Sequence, residues 1–336
     1  MSQTITRGPA TGGGFKRFFT NQSQFDFVGR SRMWALISLV LIAVSLLALG
    51  VRQLNFGIDF TGGTTFIVTG AAGGFGAEDL REAVGATGVD EVSAQVVDGG
   101  EGAMVTTPSI EEVGGEQQDR VLDAIAEVAG VERGEIDVSA VGPRWGEQIS
   151  RQAIRALVVF LVLVALYIAI RFEWRMALAA LVTLAHDVIV TVGIYALVGF
   201  QVTPASVIAL LTILGYSLYD TVVVFDRVTE DTARLSSVST QTYGEVANSS
   251  LNEVLIRSLS TSVTSLLPVG SLLFIGATLL GAETLSDLAL ALFVGMAIGT
   301  YSSIAVATPA LVWLKEREPR YAELKDKIET RRGRKA

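Results

Sequence analysis

Long apolar stretches limit this chain to a small set of folds. A helix that crosses about 30 Å of hydrocarbon needs roughly 20 apolar residues. Six stretches meet that length, at residues 33–52, 153–171, 176–199, 202–225, 257–280 and 286–314. Because 50% of the 336 residues are hydrophobic and the mean hydropathy is positive, at +0.48, an ordinary soluble globule is not expected. The sequence therefore predicts a polytopic α-helical membrane protein whose six transmembrane helices are embedded in the lipid bilayer.

The distribution of charge predicts how the spans are oriented. Five basic residues lie in the glycine-rich N-terminal tail (residues 1–30) or at the start of the first span, and nine lie in the C-terminal tail (residues 315–336). Residues 53–147 instead contain 18 Asp and Glu against four Arg and no Lys. Since basic segments stay on the cytoplasmic side, both termini are predicted to be cytoplasmic. The first span has no convincing cleavage site and is interpreted as an uncleaved anchor.

The acidic segment at residues 53–150 is predicted to be an external α+β domain between spans one and two. Its pattern predicts strands at 64–68, 92–97, 103–107 and 135–141, and helices at 77–86 and 116–129. The middle strands flank the turn-forming DGGEG at 98–102. The order β-α-β-β-α-β is that of a ferredoxin-like split unit. In the second helix the residues expected to face the sheet are Leu122, Ile125, Ala126 and Ala129.

The residue types that are missing exclude several classes of chemistry. The chain has no cysteine and only one histidine, His186. Disulfides, thiolate catalysis and Cys-ligated or multi-histidine metal sites are therefore excluded. There is no GxxxxGK[ST] loop for an ATPase. The sequence predicts no metal, no cofactor, no enzymatic turnover and no nucleic-acid partner, so any work must use another energy source.

A charge near the middle of an apolar stretch costs at least about 2.5 kcal/mol, and the sequence offers two good cases of such a residue and one borderline case. Asp187 lies near the middle of the third span beside His186, Asp220 lies in the fourth, and Arg257 opens the fifth at a height similar to that of Asp220. Such residues usually face a protein interior or a water-filled path. We therefore expect a proton pathway in which Asp220 and Arg257 meet.

Hydroxyl side chains follow Arg257 along the fifth span at helical spacing. This stripe contains Ser260, Thr261, Thr264 and Ser265. Together with a carboxylate and a guanidinium, hydroxyls of this kind carry protons. The alternative for Asp220 and Arg257 is a structural ion pair, with ordinary small-residue packing around Gly215 and Ser217 and with the Arg257 side chain extending to the membrane interface. The alternative for His186 is a neutral, hydrogen-bonded side chain that only contributes to packing.

Five motifs carry a resemblance to a known family. They are GIDFTGG at 57–63, VGPRWGEQI at 141–149, HDV at 186–188, GYSLYDTVVVFDR at 215–227 and IRSLSTS at 256–262. From about residue 30 to 315 the chain resembles the SecF family of protein-export membrane subunits. That family is a sister of the SecD family, and both are related to the resistance-nodulation-division transporters.

The resemblance implies a function and partners. It implies an accessory motor of the Sec export machinery in a bacterial or archaeal plasma membrane, driven by the proton gradient and partnered by SecD, the SecYEG channel and a preprotein. It also implies that Asp220 and Arg257 conduct protons. Tyr219 is a departure, since the family commonly has asparagine there. Half of a proton-driven exporter of a small molecule or lipid, and a passive membrane scaffold, remain as alternatives.

The GIDFTGG segment is predicted to be a structural joint between the first span and the external domain. Gly57, Gly62 and Gly63 suit tight turns with positive φ, and Asp59 suits bracing such a turn. Gly142 and Pro143 belong to the VGPRWGEQI motif just before the second span, and they are assigned a structural role as well. Phosphate binding is not expected, because the segment leads into a strand rather than opening a helix.

Overall fold

The computed structural model describes residues 25–71, 73–89, 92–97, 102–108, 110, 115–236, 239–276 and 283–334. In chain order the elements are α1 (Ser31–Val51), β1 (Asn55–Phe56), α2 (Ile58–Thr61), β2 (Gly63–Thr69), α3 (Ala77–Gly85), β3 (Ser93–Val97), β4 (Gly102–Thr107), α4 (Glu116–Ala129), β5 (Ile136–Val141), α5 (Pro143–Arg171), α6 (Trp174–Val198), β6 (Gln201–Val202), α7 (Pro204–Thr232), α8 (Tyr243–Ser271), α9 (Glu283–Ser302), α10 (Thr308–Lys315) and α11 (Pro319–Gly333). Short π-helical segments follow α8 (Leu272–Gly276) and join α9 to α10 (Ser303–Ala307).

Six helices are long and apolar enough to cross a membrane. They span Ser31–Val51, Trp145–Arg171, Trp174–Val198, Pro204–Thr232, Tyr243–Ile275 and Ser286–Lys315. The prediction of six apolar helices is therefore confirmed, but three boundaries differ: the second helix begins at Trp145 rather than at residue 153, the fourth ends at Thr232 rather than at residue 225, and the start of the fifth also moves. The fifth helix begins at Tyr243 rather than at residue 257, because Thr242 caps it through the Glu245 backbone N–H. The predicted end of that span, at 277–280, lies outside the described residues.

The interior of the bundle consists of the third, fourth and last spans. About half of the apolar window of α6 is buried (56%), against 11% in α5. The helix α9 packs along α7, and α1 packs along α6. The side chains of α6 and α7 are thus shielded by neighbours, while α5 has most of its surface outside the fold.

The two ends of the bundle differ in structure, and we name them by what they carry. The terminal side holds residues 25–30 and α11. There, Asn252 accepts a hydrogen bond from the Phe25 backbone N–H and donates one to the Phe25 carbonyl. The C-terminal segment is not a loose tail, since α11 folds back and buries Tyr321, Leu324 and Ile328. Residues 1–24 of the predicted N-terminal tail lie outside the described residues.

The other end, the domain side, carries a four-stranded sheet with the order β3-β4-β2-β5, in which all neighbours are antiparallel. The helices α3 and α4 pack on each other and close a core around Phe66 and Val105. The buried stripe of α4 is Val121, Ile125 and Ala129. Leu122 and Ala126 are only partly buried, because the helix is rotated toward Val121. Residues 98–101 of the predicted turn are outside the described ranges.

The segment after α1 ties the bundle to this domain. The strand β1 pairs in parallel with β6, and the Gly57 N–H donates to the Val202 carbonyl at 2.9 Å. Gly62 and Gly63 have positive φ, as predicted, whereas Gly57 has a φ of −67°. At Gly57 the constraint is space instead, because a Cβ would lie 3.2 Å from the Val202 oxygen.

The start of the second span packs against this same segment. The helix α5 begins at Pro143 with Gly142 as its N-cap residue. A Cβ at Gly146 would lie 2.7 Å from the Phe60 carbonyl oxygen, so the backbones of α5 and α2 touch. Asp59, on α2, is half-buried, and burial raises the pKa of its carboxyl above the ordinary value.

Candidate functional site

Two carboxylates lie inside the bundle. Asp187 on α6 is 1% exposed and Asp220 on α7 is 6% exposed. A buried carboxylate is costly unless other groups hydrogen-bond to it. Both side chains have such partners, contributed by neighbouring helices.

Asp220 is held by two hydroxyl groups from two other spans. Ser258 on α8 and Ser303 at the end of α9 each donate from Oγ to Asp220 Oδ2 at 2.5 Å. Ser303 is the first residue of the π-helical segment that interrupts the last span. A π-bulge inserts an extra residue into the helical repeat and so changes which side chains face a neighbour; such bulges are frequent at functional sites.

Asp187 has a second, separate set of partners. Ser217 on α7 donates to Asp187 Oδ2 at 2.5 Å, and His186 Nδ1 lies 3.1 Å from Asp187 Oδ1. The His186 ring lies against Tyr301, with ring centroids 6.0 Å apart. Its Nε2 is buried and has no hydrogen-bond partner within the described residues. The imidazole therefore keeps one ring nitrogen for a further donor or acceptor.

The two sets are joined through α7. Ser217 and Asp220 are three residues apart, so they lie on the same face about one turn from each other. One turn further along the neighbouring spans, Thr300 donates to Ser262 Oγ at 2.9 Å. The interior thus contains a row of carboxylates and hydroxyls contributed by α6, α7, α8 and the last span.

Two glycines bring the last span close enough to α7 for these contacts. A Cβ at Gly295 would lie 2.2 Å from Ile213 Cδ1, and one at Gly299 would lie 3.1 Å from Ser217 Cβ. They form a GxxxG pattern, which lets helix backbones approach closely in membranes. Gly215, named from the sequence for this purpose, has nothing within 4 Å of its Cβ position, so the small residues that matter are on the opposite helix.

The expected pairing of Asp220 with Arg257 is not formed in the structure. Arg257 is exposed, and no ion pair or hydrogen bond joins it to Asp220 among the residues that the structure describes. The adjacent Ser258 makes the contact instead. Thr261 and Thr264 are also exposed, and their hydroxyls donate to carbonyls of their own helix at 2.8 Å. The role of these three residues in proton movement stays a prediction.

Sequence reasoning missed the hydroxyls that face the carboxylates. Ser258 and Ser262 have the same i, i+4 spacing as the predicted stripe, rotated by part of a turn, and both are at most 3% exposed. A signal for the close approach of the last span was present in the GMAIG sequence at 295–299. No local pattern indicated the π-bulge that places Ser303.

Neighbouring polar residues of the fourth span lie outside this row. Tyr219 is 58% exposed and does not bond to Asp220. Asp226 accepts from Arg171 at 3.0 Å at the surface, and Arg227 pairs with Glu230 and Asp231. These residues form a network of ion pairs at the protein surface. Within the described ranges no cluster of three metal-ligating side chains is present.

Comparisons with known proteins give a consistent result. Residues 121–317 match the family model described as protein export membrane protein SecD/SecF, C-terminal, and residues 47–69 match the SecD/SecF GG motif. The chain is 45% identical to the protein translocase subunit SecF of Streptomyces coelicolor, covering 92% of this chain and 82% of the relative. It is 36% identical to the protein translocase subunit SecDF of Thermus thermophilus, covering 88% of this chain and 39% of that protein.

Two solved structures are similar as well. The crystal structure of SecDF from Thermus thermophilus gives a TM-score of 0.77 at 34% identity, covering 88% of this chain and 39% of the other. The crystal structure of SecDF in a super-membrane-facing form gives a TM-score of 0.62 at 33% identity, covering 91% and 40%. The chain therefore corresponds to about two fifths of the longer SecDF proteins.

Proposed function

This chain belongs to the SecD/SecF family of protein export membrane proteins, and on that premise we propose that it is an accessory Sec translocase subunit that uses the proton gradient to drive late preprotein translocation. Protons bind and leave Asp220, and the resulting change in helix packing moves the external domain.

The single observation that carries this proposal is the environment of Asp220. As a carboxylate, its Oδ2 accepts hydrogen bonds from Ser258 and Ser303, which belong to two different spans. A protonated carboxyl group carries an O–H donor and fewer acceptor sites. A proton on Oδ2 displaces at least one of these hydroxyls, and a proton on Oδ1 removes the negative charge that makes both hydrogen bonds strong. In either case a proton at Asp220 weakens contacts among three helices.

The fold supplies a route from these helices to the domain. The helix α7 begins at Pro204, directly after β6, and β6 pairs with β1 at the start of the joint. A shift of α7 along its axis therefore pulls on backbone hydrogen bonds that lead into β2, the central strand of the sheet. The domain is proposed to be ferredoxin-like, external and in contact with the preprotein.

The proposed partners follow from family membership and from charge. The Thermus SecDF protein is more than twice as long as this chain, which supports SecD as the second half of the transporter. The solved Thermus SecDF is described as a translocon-associated membrane protein, which supports the SecYEG channel as a further partner. The basic residues at 315–335 support cytoplasmic termini in a plasma membrane.

Replacement of Asp220 by asparagine tests the proposal. Preprotein uptake is measured in inverted membrane vesicles that contain the whole complex, with and without a proton gradient. We expect Asp220→Asn to remove the stimulation by the gradient, because the amide cannot take up a proton. Asp226→Asn is the matched control on the same helix, since Asp226 lies at the surface in a pair with Arg171.

Two results would contradict the proposal. Gradient-stimulated uptake at the wild-type rate in Asp220→Asn vesicles would show that no proton needs to bind there. An equal loss in the Asp226→Asn control would show that the assay reports general damage to α7.

A further inference from the structure

A large cavity opens at the terminal side of the bundle. It has a volume of about 1280 Å³ and lies among α1, α6, α8, α10 and α11. Its lining includes charged side chains, such as Arg32, Glu245 and Glu329, and apolar ones, such as Ala305 and the half-exposed Val182. With cytoplasmic termini, this cavity faces the cytoplasm.

The inner end of the cavity is polar. On α1 the lining residues run from Ser31 to Ser38, and Ser38, at 8% exposed, is the most buried of them. Ser38 Oγ lies 2.9 Å from the Tyr301 hydroxyl. On the other walls, Val182 and Ala305 are each four residues, one helical turn, from His186 and Tyr301 respectively. Ser38 thus connects the cavity wall to Tyr301, which lies behind the wall and against His186.

These contacts lead directly to a buried carboxylate. The Tyr301 ring lies against His186, and His186 Nδ1 lies 3.1 Å from Asp187 Oδ1. His186 is 3% exposed, and its Nε2 has no hydrogen-bond partner in the described part of the chain. Leaving such a nitrogen unpaired costs about 1–3 kcal/mol, which a simple packing role does not explain.

We propose that Ser38, Tyr301 and His186 form the cytoplasmic leg of the proton route, through which Asp187 exchanges protons with water in the cavity. This inference rests on the proposed proton-driven function and extends it to a site on another helix. Tyr301 and Ser38 position the water that meets His186.

Protons and charge balance in this step. Protonated Asp187 loses its proton from Oδ1 to Nδ1 of a neutral imidazole, and the imidazole releases its Nε2 proton to a water molecule. Asp187 becomes a carboxylate, His186 stays neutral with its proton on Nδ1, and one hydronium ion leaves toward the cytoplasm. The Ser217 hydroxyl donates to Asp187 Oδ2 and stabilises the charge that forms.

Access of water to the inner end is tested by cysteine labelling. Because the chain has no cysteine, a single Ser38→Cys variant presents the only thiol of this subunit. A small, charged, membrane-impermeant thiol reagent added to the cytoplasmic face is expected to modify it. Leu36→Cys is the control at nearly the same depth, since Leu36 is 61% exposed on the outside of α1 and faces lipid. The inference would be overturned if the two thiols were equally protected from the charged reagent, or if only lipophilic reagents modified the thiol of the Ser38→Cys variant.

The role of the hydroxyl is tested with Tyr301→Phe, which keeps the ring against His186 and removes only the oxygen. In the vesicle assay we expect gradient-stimulated uptake to fall by about fivefold or more, as for loss of a proton-transfer group. The solvent deuterium isotope effect on uptake should rise, because proton release then limits the rate. Tyr243→Phe, a buried tyrosine outside this row, serves as the control and keeps the wild-type rate.

The outcomes separate this inference from the proposed function. Wild-type uptake in Tyr301→Phe and in Ser38→Ala, together with loss in Asp220→Asn, would overturn the cytoplasmic leg and leave the proton-driven function standing. Unchanged uptake in Asp220→Asn would remove the function itself. A fall in Tyr301→Phe without a larger isotope effect would mean a structural role and would also overturn the inference.

Discussion

Replacing Gly295 by alanine should separate the last span from α7. The added Cβ would lie 2.2 Å from Ile213 Cδ1 and less than 3 Å from two other carbons of the same side chain, where ordinary contact begins at 3.4 Å. Ile213 is 1% exposed and lines a small cavity of about 60 Å³, so the added Cβ must either push its side chain toward that space or push the two helices apart. Overpacking of this kind costs about 1–3 kcal/mol, while alanine in place of glycine returns up to about 1 kcal/mol in helix propensity.

The measurement is thermal unfolding of the purified protein in detergent, followed by circular dichroism. We expect Gly295→Ala to lower the free energy of unfolding by about 1–2 kcal/mol. It should also reduce gradient-stimulated export, because Ser303 reaches Asp220 only while these two spans are in contact. Gly215→Ala is the matched control, since nothing lies within 4 Å of its Cβ position, and it should be neutral or slightly stabilising.

A double variant decides whether the contact is the cause. Ile213→Ala alone should cost about 2–5 kcal/mol through the cavity that it leaves. If Gly295→Ala acts by pressing on Ile213, the two changes together should cost less than their sum by about 1–3 kcal/mol. Additive losses, or equal behaviour of Gly295→Ala and Gly215→Ala, would refute the reasoning.

Two further predictions concern the hydroxyl contacts and the joint. Ser258→Ala and Ser303→Ala should each slow gradient-driven vesicle uptake and combine non-additively, because each removes a hydrogen bond to a charged group worth about 1.5–3 kcal/mol. Ser271→Ala, which removes an exposed hydroxyl of α8 that donates to the Leu267 carbonyl, should have no effect, and an equal loss there would contradict the assignment. Asp59→Asn should raise the melting temperature at neutral pH. Burial raises the pKa of Asp59, so the wild type is most stable below the ordinary value of 3.8 and loses stability as pH rises. The difference between the two proteins should vanish in acid, and a constant difference from acid to neutral pH would argue against this cause.

Much of the fold was predictable because its signals are local. Hydropathy over a window of about 20 residues locates each span, since the bilayer selects on length and apolarity alone. The start of α8 was missed because its first turns, from Tyr243 to Asn252, are polar and pack on α11 and the segment at Phe25 rather than on lipid. Alternating apolarity likewise indicated the strands of the domain, while the rotation of α4 toward Val121 depended on how it meets the sheet.

The sequence by itself determined that carboxylates lie within the spans, because a charge in an apolar stretch is visible without any fold. Only the tertiary structure decided which groups meet them. Successive residues on a helix point about 100° apart, so Arg257 and Ser258 are equally compatible with the pattern until α8 packs with one rotation. The packed bundle turns Ser258 inward and Arg257 outward. The π-bulge at Ser303 and the close approach at Gly295 depend on the neighbouring helix, and no local spacing encodes them.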